Sequence, residues 1–347
     1  MKFLILQLLV LGTIVLNAQT YNGPESVVFD STGNRYFISN NGGNQILVRN
    51  ANAQLSVFTN DIASGPHGLE IVGNTLYACD GSFLKGFDLS NGTRTLNLNL
   101  GATFLNGICS DGGNYLYASD FSAKKIFKIN IANQTYNTFI SGLAKSPNGI
   151  IYDGDNQRII WVTWNANAPI MQASLADSVA SQLLATNLSN CDGIVRDGNG
   201  NYYVSSWGGQ AVYKFNNTFS TAPQAVVTGL SNPADIYYNL SNDSLVVPNT
   251  SNNTLSFHFM GTQTAVDVEE ITKLKIYPNP AQNKLYIEQT DNIEFVEIQD
   301  ISGRVVFREN NLNKTLVELD IAAFNSGIYT LKIKSGGSVY VDRFVKK

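Results

Sequence analysis

One short pattern recurs six times in this chain, once every 39 to 44 residues. Its copies read Pro24-Glu25-Ser26-Val27, Pro66-His67-Gly68-Leu69, Leu105-Asn106-Gly107-Ile108, Pro147-Asn148-Gly149-Ile150, Cys191-Asp192-Gly193-Ile194 and Pro233-Ala234-Asp235-Ile236. That period is the length of one four-stranded propeller blade. A single blade cannot cover both of its faces, so such units stack around an axis. If each copy opens the innermost strand of a blade, its second residue faces one mouth of a central channel. In blade order these residues are Glu25, His67, Asn106, Asn148, Asp192 and Ala234. The expected fold class is all-β: a six-bladed β-propeller over residues 19–262.

Alternation and turn residues place the strands within each repeat. The first repeat gives Val27 to Phe29, a turn at residues 30–34, then Arg35 to Ser39, Gln45 to Arg49 and Gln54 to Phe58. Clusters such as Asp111-Gly112-Gly113-Asn114 and Asp197-Gly198-Asn199-Gly200 resemble calcium loops in composition. Their regular place between two strands reads instead as hairpin turns, where Asp, Asn and Gly tolerate positive φ. The sixth repeat is short, with strands at Ile236 to Asn239, Leu245 to Val247 and Thr254 to Phe259. Either Gln19 to Tyr21 or residues around Gln263 to Val268 would then supply its outer strand.

The N-terminus has the three parts of a secretory signal: Met1-Lys2, an apolar run from Phe3 to Leu16, and Asn17-Ala18-Gln19. Cleavage is expected after Ala18, giving a signal peptide of residues 1–18 and a soluble, exported protein. Charged residues are only 14%, net charge is −4, and no basic run precedes Lys346-Lys347. Nucleic acid is therefore not expected as a partner. Three cysteines rule out a complete disulfide framework. Cys79 and Cys109 read as small core residues. Cys191 stands where other copies have Pro, and no repeating histidine supports it as a nucleophile. Trp161, Trp164 and Trp207 are read as packing between blades rather than lining the mouth.

The repeat ends after Met260, and residues 263–273 form a polar linker. Short alternating strands then run to the C-terminus, as in a small antiparallel β-sandwich over residues 274–347. Within it stand Tyr277-Pro278-Asn279-Pro280, then Asp300-Ile301-Ser302-Gly303-Arg304-Val305-Val306, then Ser326-Gly327-Ile328-Tyr329-Thr330-Leu331, and finally Phe344-Val345-Lys346-Lys347. In order and spacing this resembles the C-terminal sorting domain of the type IX secretion system. The resemblance implies export across an outer membrane, that secretion machinery as partner, and attachment at the cell surface.

Four of the six mouth residues are oxygen donors suited to a hard cation: Glu25, Asn106, Asn148 and Asp192. Two carboxylates would match the charge of Ca2+ or another divalent cation, while coordination positions stay open for water or substrate. A competing reading takes Asn-Gly and Asp-Gly as ordinary turn pairs, but it accounts poorly for Glu25-Ser26. It also leaves like-charged carboxylates converging without a counterion.

The same residues carry a second resemblance. Glu25-Ser26-Val27-Val28-Phe29-Asp30, Pro147-Asn148-Gly149-Ile150 and the run from Asp192 to Asn201 are similar to motifs of the senescence marker protein/gluconolactonase family of six-bladed propellers. In that family Glu, Asn, Asn and Asp from blades one, three, four and five hold a catalytic calcium, which implies Glu25, Asn106, Asn148 and Asp192 here. The chain departs at Phe104-Leu105-Asn106-Gly107, where the family carries an Arg before the Asn. Strands such as residues 114–120 also look like NHL repeats. The reading that follows is a monomeric, metal-dependent hydrolase of a small lactone or ester. Asp192 would serve as general base or nucleophile, and His67 as proton shuttle or substrate contact. His258 is expected to be structural. The alternative is a non-catalytic surface propeller that recognises glycans or proteins.

Overall fold

The second strand of each repeat is apolar or small on both of its faces, so it needs a covered sheet on each side. All five residues of Tyr202–Ser206 are buried, as are five of six in Arg35–Asn40. The computed structural model satisfies this requirement by stacking sheets face to face. It describes residues 19–261, 274–301, 303–336 and 338–347. The expected signal peptide and linker lie outside the described residues. Two compact units result, Met1–Gly261 and Thr262–Lys347.

In the first unit, residues 24–228 form five four-stranded antiparallel sheets, and residues 237–259 form a three-stranded sixth. The innermost strands of the first five sheets are Pro24–Asp30, Pro66–Val72, Leu105–Ser110, Pro147–Asp153 and Cys191–Arg196. Tyr237–Asn239 takes that place in the sixth. Each of these strands contacts the next, and the sixth contacts the first, so the sheets close around an axis as in a β-propeller. The core lies between sheets: Val28, Phe37 and Ile46 of the first pack with Leu69, Leu76 and Ala78 of the second. Gln19–Tyr21 adds no strand to the sixth sheet. Tyr21 instead packs on the cluster of Val27, Ile38 and Val246 that closes the ring. The other candidate, 263–268, lies outside the described residues.

The Asn-Gly and Asp-Gly pairs of the sixfold pattern, at 106–107, 148–149 and 192–193, are not turns. They sit inside the innermost strands, where pairing with the second strand breaks between Pro147 and Ile150 and between Cys191 and Ile194. The glycines permit consecutive innermost strands to approach backbone to backbone. A Cβ on Gly107 would stand 2.6 Å from the Asn148 carbonyl oxygen, and one on Gly193 would stand 2.6 Å from the Ile236 nitrogen. Overpacking of this kind costs about 1–3 kcal/mol. Gly107→Ala should therefore lower the melting temperature of this unit by roughly 3–10 °C. Gly198→Ala, whose nearest neighbour would be Leu240 at 3.8 Å, should leave it unchanged. Equal melting temperatures for the two variants would remove this account of the glycines.

At the closing seam the third position is not Gly but Ser26 and Asp235. Ser26 Oγ donates to Asp235 Oδ2 at 2.7 Å, and the Asp235 N–H donates to the Glu25 carbonyl at 2.8 Å. Side chains thus tie the first sheet to the sixth, and Ser26 Oγ also accepts from the Leu69 N–H of the second at 3.2 Å. Glycines serve the joints from the second sheet to the sixth.

The second unit is built on two long strands, Lys284–Gln299 and Val305–Asp320, with Lys275–Tyr277, Gly327–Ser335 and Ser338–Lys346. Each long strand merges two segments that the alternation separates. The register breaks between Glu288 and Ile293 mark where their shared ribbon bends. Leu285, Ile287, Ile298, Leu319, Leu331 and Phe344 lie in one buried core. Among the described residues no helix is long and apolar enough to cross a membrane.

Candidate functional site

Serines of the second strands fix the mouth residues in place. Ser119 Oγ accepts from the Gly107 N–H and donates to the Asn148 carbonyl, both at 2.8 Å, and so joins the third sheet to the fourth. Ser205 Oγ does the same between the Gly193 N–H and the Ala234 carbonyl, at 2.7 Å each. The residue after each such serine position clamps the loop leading into the site. Asp120 accepts from the N–H groups of Thr103 and Phe104 at 2.8 and 3.1 Å, and Asp80 from those of Ala63 and Ser64 at 2.9 and 2.7 Å.

The result is a cavity of ≈ 280 Å³ that brings together Glu25, His67, Asn106, Asn148 and Asp192. Ala234, the sixth mouth residue, is fully buried and does not line it. The four oxygen donors are themselves buried, Asn148 and Asp192 to 1% and 2% exposure. Asn148 Nδ2 donates to the Cys191 carbonyl at 3.3 Å. Its Oδ1 is buried with no donor, and so is Asp192 Oδ1. A buried acceptor without a donor is costly, and two of them in one cavity, beside a second carboxylate, suit a cation. No Lys or Arg lines the cavity to serve instead. Among the described residues no group of three or more His, Cys, Asp or Glu could hold a metal. The donor set here is two carboxylates and two amides, the neutral and charged oxygens that Ca2+ accepts.

Electrostatics agree with this. Burial first, then the charge of Asp235, raises the Glu25 pKa to about 7, against a lowering hydrogen bond from Thr250. Burial, then the charges of Glu25 and Asp235, holds Asp192 well above the usual carboxylate range. Asn148 and the Trp207 indole pull it the other way, although Asp192 Oδ1 and Trp207 Nε1 make no hydrogen bond of ordinary geometry. Asp235 is raised by burial to about 6. Three buried carboxyls, Glu25 and Asp192 on the lining and Asp235 behind it, thus repel one another. No Lys or Arg on the lining offsets them.

His67 is committed on both ring nitrogens. Nδ1 lies 3.1 Å from the Gly65 carbonyl and donates to it, while Nε2 accepts from Asn41 Nδ2 at 3.1 Å. Burial lowers its pKa to about 4, so the ring is neutral at physiological pH. Cys191 is buried, and its thiol is raised to about 12 by burial and by Asp192, which removes it as a nucleophile at neutral pH. His258 bonds Ser256 Oγ at 2.9 Å and does not line the cavity.

Two features were not visible in the repeat pattern. Asp235 is one, because alignment on Pro233 puts Ala234 at the second position. The other is a second sixfold series, the residue just after each second strand: Asn41, Gly81, Phe121, Trp164, Trp207 and Thr250. Five of these six, all but Gly81, line the cavity. The packing reading of the tryptophans therefore holds for Trp161, which is fully buried, but not for Trp164 and Trp207. The reason is positional: Trp161 lies within its strand and faces a neighbouring sheet, whereas the other two lie one residue past a strand end, at the mouth.

No curated protein matches this chain in sequence. The C-terminal unit does match a family model. Residues 275–347 are a secretion system C-terminal sorting domain. The propeller unit is similar in fold to a solved calcium-binding protein, regucalcin from Agrobacterium tumefaciens. The identity is 15%, with TM-score 0.58, over 70% of this chain and 91% of that one. A gluconolactonase from Xanthomonas campestris gives 13% identity and TM-score 0.58 over 69% and 86%. A streptogramin B lyase gives 16% and 0.54 over 71% and 85%. At these identities the likeness is one of fold. The sorting domain itself points to secretion and the cell surface.

Proposed function

We propose that this chain is an exported, calcium-dependent hydrolase of lactones or esters that works at the cavity mouth. The observation that carries the proposal is the pair of buried, donorless oxygens, Asn148 Oδ1 and Asp192 Oδ1, beside Glu25 in a cavity without Lys or Arg. Glu25, Asn106, Asn148 and Asp192 would hold Ca2+, or another divalent cation of similar chemistry. When bound, the ion supplies positive charge to polarise the acyl oxygen and to offset the charge developing on it. Asp192 takes a proton from water as the water oxygen bonds to the acyl carbon. The C–O bond to the leaving oxygen then breaks, and the proton passes to that oxygen. His67, neutral and tied at both nitrogens, holds the wall in shape instead of shuttling protons. The regucalcin and gluconolactonase folds support the same reading. The sorting domain would pass the chain to type IX machinery for display as a monomer at the surface.

The test is turnover of a panel of lactones, aryl esters and phosphotriesters by the full chain, with calcium and after chelation. Hydrolysis that calcium restores after chelation is expected, with a loss of at least a hundredfold in its absence. No turnover on any member with calcium bound would favour the surface-binding reading.

A further inference from the structure

The walls of the cavity differ in chemistry from its floor. From His67 an unbroken row of rings runs through Phe104, Phe121 and Trp164 to Trp207. Successive centroids are 4.6, 5.6, 6.2 and 5.1 Å apart, and all pairs meet edge to face. Edge-to-face rows are rigid, because each ring's positive edge rests on its neighbour's negative face. Phe104 is also pinned through its own N–H by the Asp120 carboxylate at 3.1 Å. The row runs from the second sheet to the fifth. Opposite it, beside Glu25, stand the small polar side chains of Asn41 and Thr250. The buried Trp207 indole N–H, at the end of the row, acts on the Asp192 carboxylate.

We infer that the substrate is an uncharged ester or lactone with a flat aromatic or cyclic apolar body, and not a polyhydroxylated sugar lactone. This inference rests on the proposed hydrolase function and names its substrate class. The ring row supplies apolar area for the body. With the two carboxylates balanced by the ion, no Lys or Arg is left on the lining to pair an anionic group. A sugar would bring several hydroxyls to a wall with few polar groups to pair them, and unpaired buried hydroxyls oppose binding. The polar end of the substrate would lie toward Asn41 and Thr250. A cavity of ≈ 280 Å³ has the volume of roughly nine waters, enough for a one- or two-ring ester.

Binding is measured apart from turnover with lactam analogues, which hydrolysis does not consume. The calcium-loaded full chain is titrated by calorimetry with an aromatic lactam, 3,4-dihydroquinolin-2-one, and with gluconolactam. The aromatic lactam should bind at least tenfold more tightly. Trp164→Ala should weaken it about tenfold and gluconolactam less than twofold, whereas Trp164→Phe should retain most of the affinity. Calcium binding by the Ala variant itself reports whether it is still folded. Equal or tighter binding of gluconolactam, or no change in aromatic binding in Trp164→Ala, would overturn the inference. Aromatic binding without turnover of any ester would instead remove the hydrolase reading and leave the ligand class standing.

Discussion

Calcium in hundredfold excess over its dissociation constant should raise the melting temperature of the propeller unit by roughly 5–10 °C at pH 8, and by much less at pH 5. The size follows from mass action. That excess stabilises a one-site protein by about 2.7 kcal/mol, and a unit of this length gains about 2–4 °C per kcal/mol. The pH dependence follows from the crowded carboxyls. Glu25 is raised to about 7, Asp235 to about 6, and Asp192 lies well above the usual carboxylate range. In the metal-free protein these groups keep protons that the unfolded chain releases near pH 4. Their contribution to stability is therefore fully present below the unfolded pKa and is lost as pH rises through about 6 to 7 and beyond. Calcium requires the ionised forms, so it binds best where the metal-free protein is weakest. Scanning calorimetry from pH 5 to 8, with and without calcium, measures both curves, which should converge at low pH. Proton release into a weak buffer on adding calcium at pH 7 gives an independent check. A calcium effect of equal size at pH 5 and pH 8 would mean that the ion sits elsewhere.

The period of the repeat made the architecture legible, because a polar residue followed by Gly marks four of the six places where innermost strands touch. It also brought Glu25, Asn106, Asn148 and Asp192 to one cavity without any structural input. The glycines were harder to read. An Asn-Gly pair looks the same in sequence whether it makes a turn or lets two backbones approach across a joint, and only the neighbouring strand distinguishes them. Asp235 was hidden by its own repeat: Pro233 fixes the alignment, yet the bond to Ser26 depends on a residue 209 positions away. The ring row was hidden for another reason. Three of its five rings, Phe121, Trp164 and Trp207, lie one past the second strands, in a series whose other occupants are Asn41, Gly81 and Thr250. No shared chemistry announces such a series; only the regular strand ends Asn40, Asp80, Asp120, Thr163, Ser206 and Asn249 could have revealed it. In the sorting domain, alternation found the strand segments but not that a bent ribbon joins them in pairs.

Asp192→Asn should abolish hydrolysis by two to four orders of magnitude even at saturating calcium, whereas Glu25→Gln should be largely rescued by raising the calcium concentration. Both changes keep the shape and remove one of the two carboxylates on the cavity floor, so both should weaken calcium binding. Only Asp192 is asked also to take a proton from water, a role worth about 10²–10⁴ in rate. An amide cannot fill that role, whatever the occupancy of the site. Glu25→Gln has an opposite effect on the metal-free protein. Glu25, raised only to about 7, is ionised at pH 8 beside Asp235, so Glu25→Gln should melt higher than the unmodified chain there without calcium. Stability gained together with calcium affinity lost is the signature of a site held in a strained charge state for its chemistry. A purely structural pair of carboxylates would show the reverse, since removing one would leave its partners unsupported. If Asp192→Asn turns over at the normal rate once calcium is saturating, Asp192 is a ligand and not the base. If both variants keep the unmodified affinity for calcium, the ion is not held at this mouth at all.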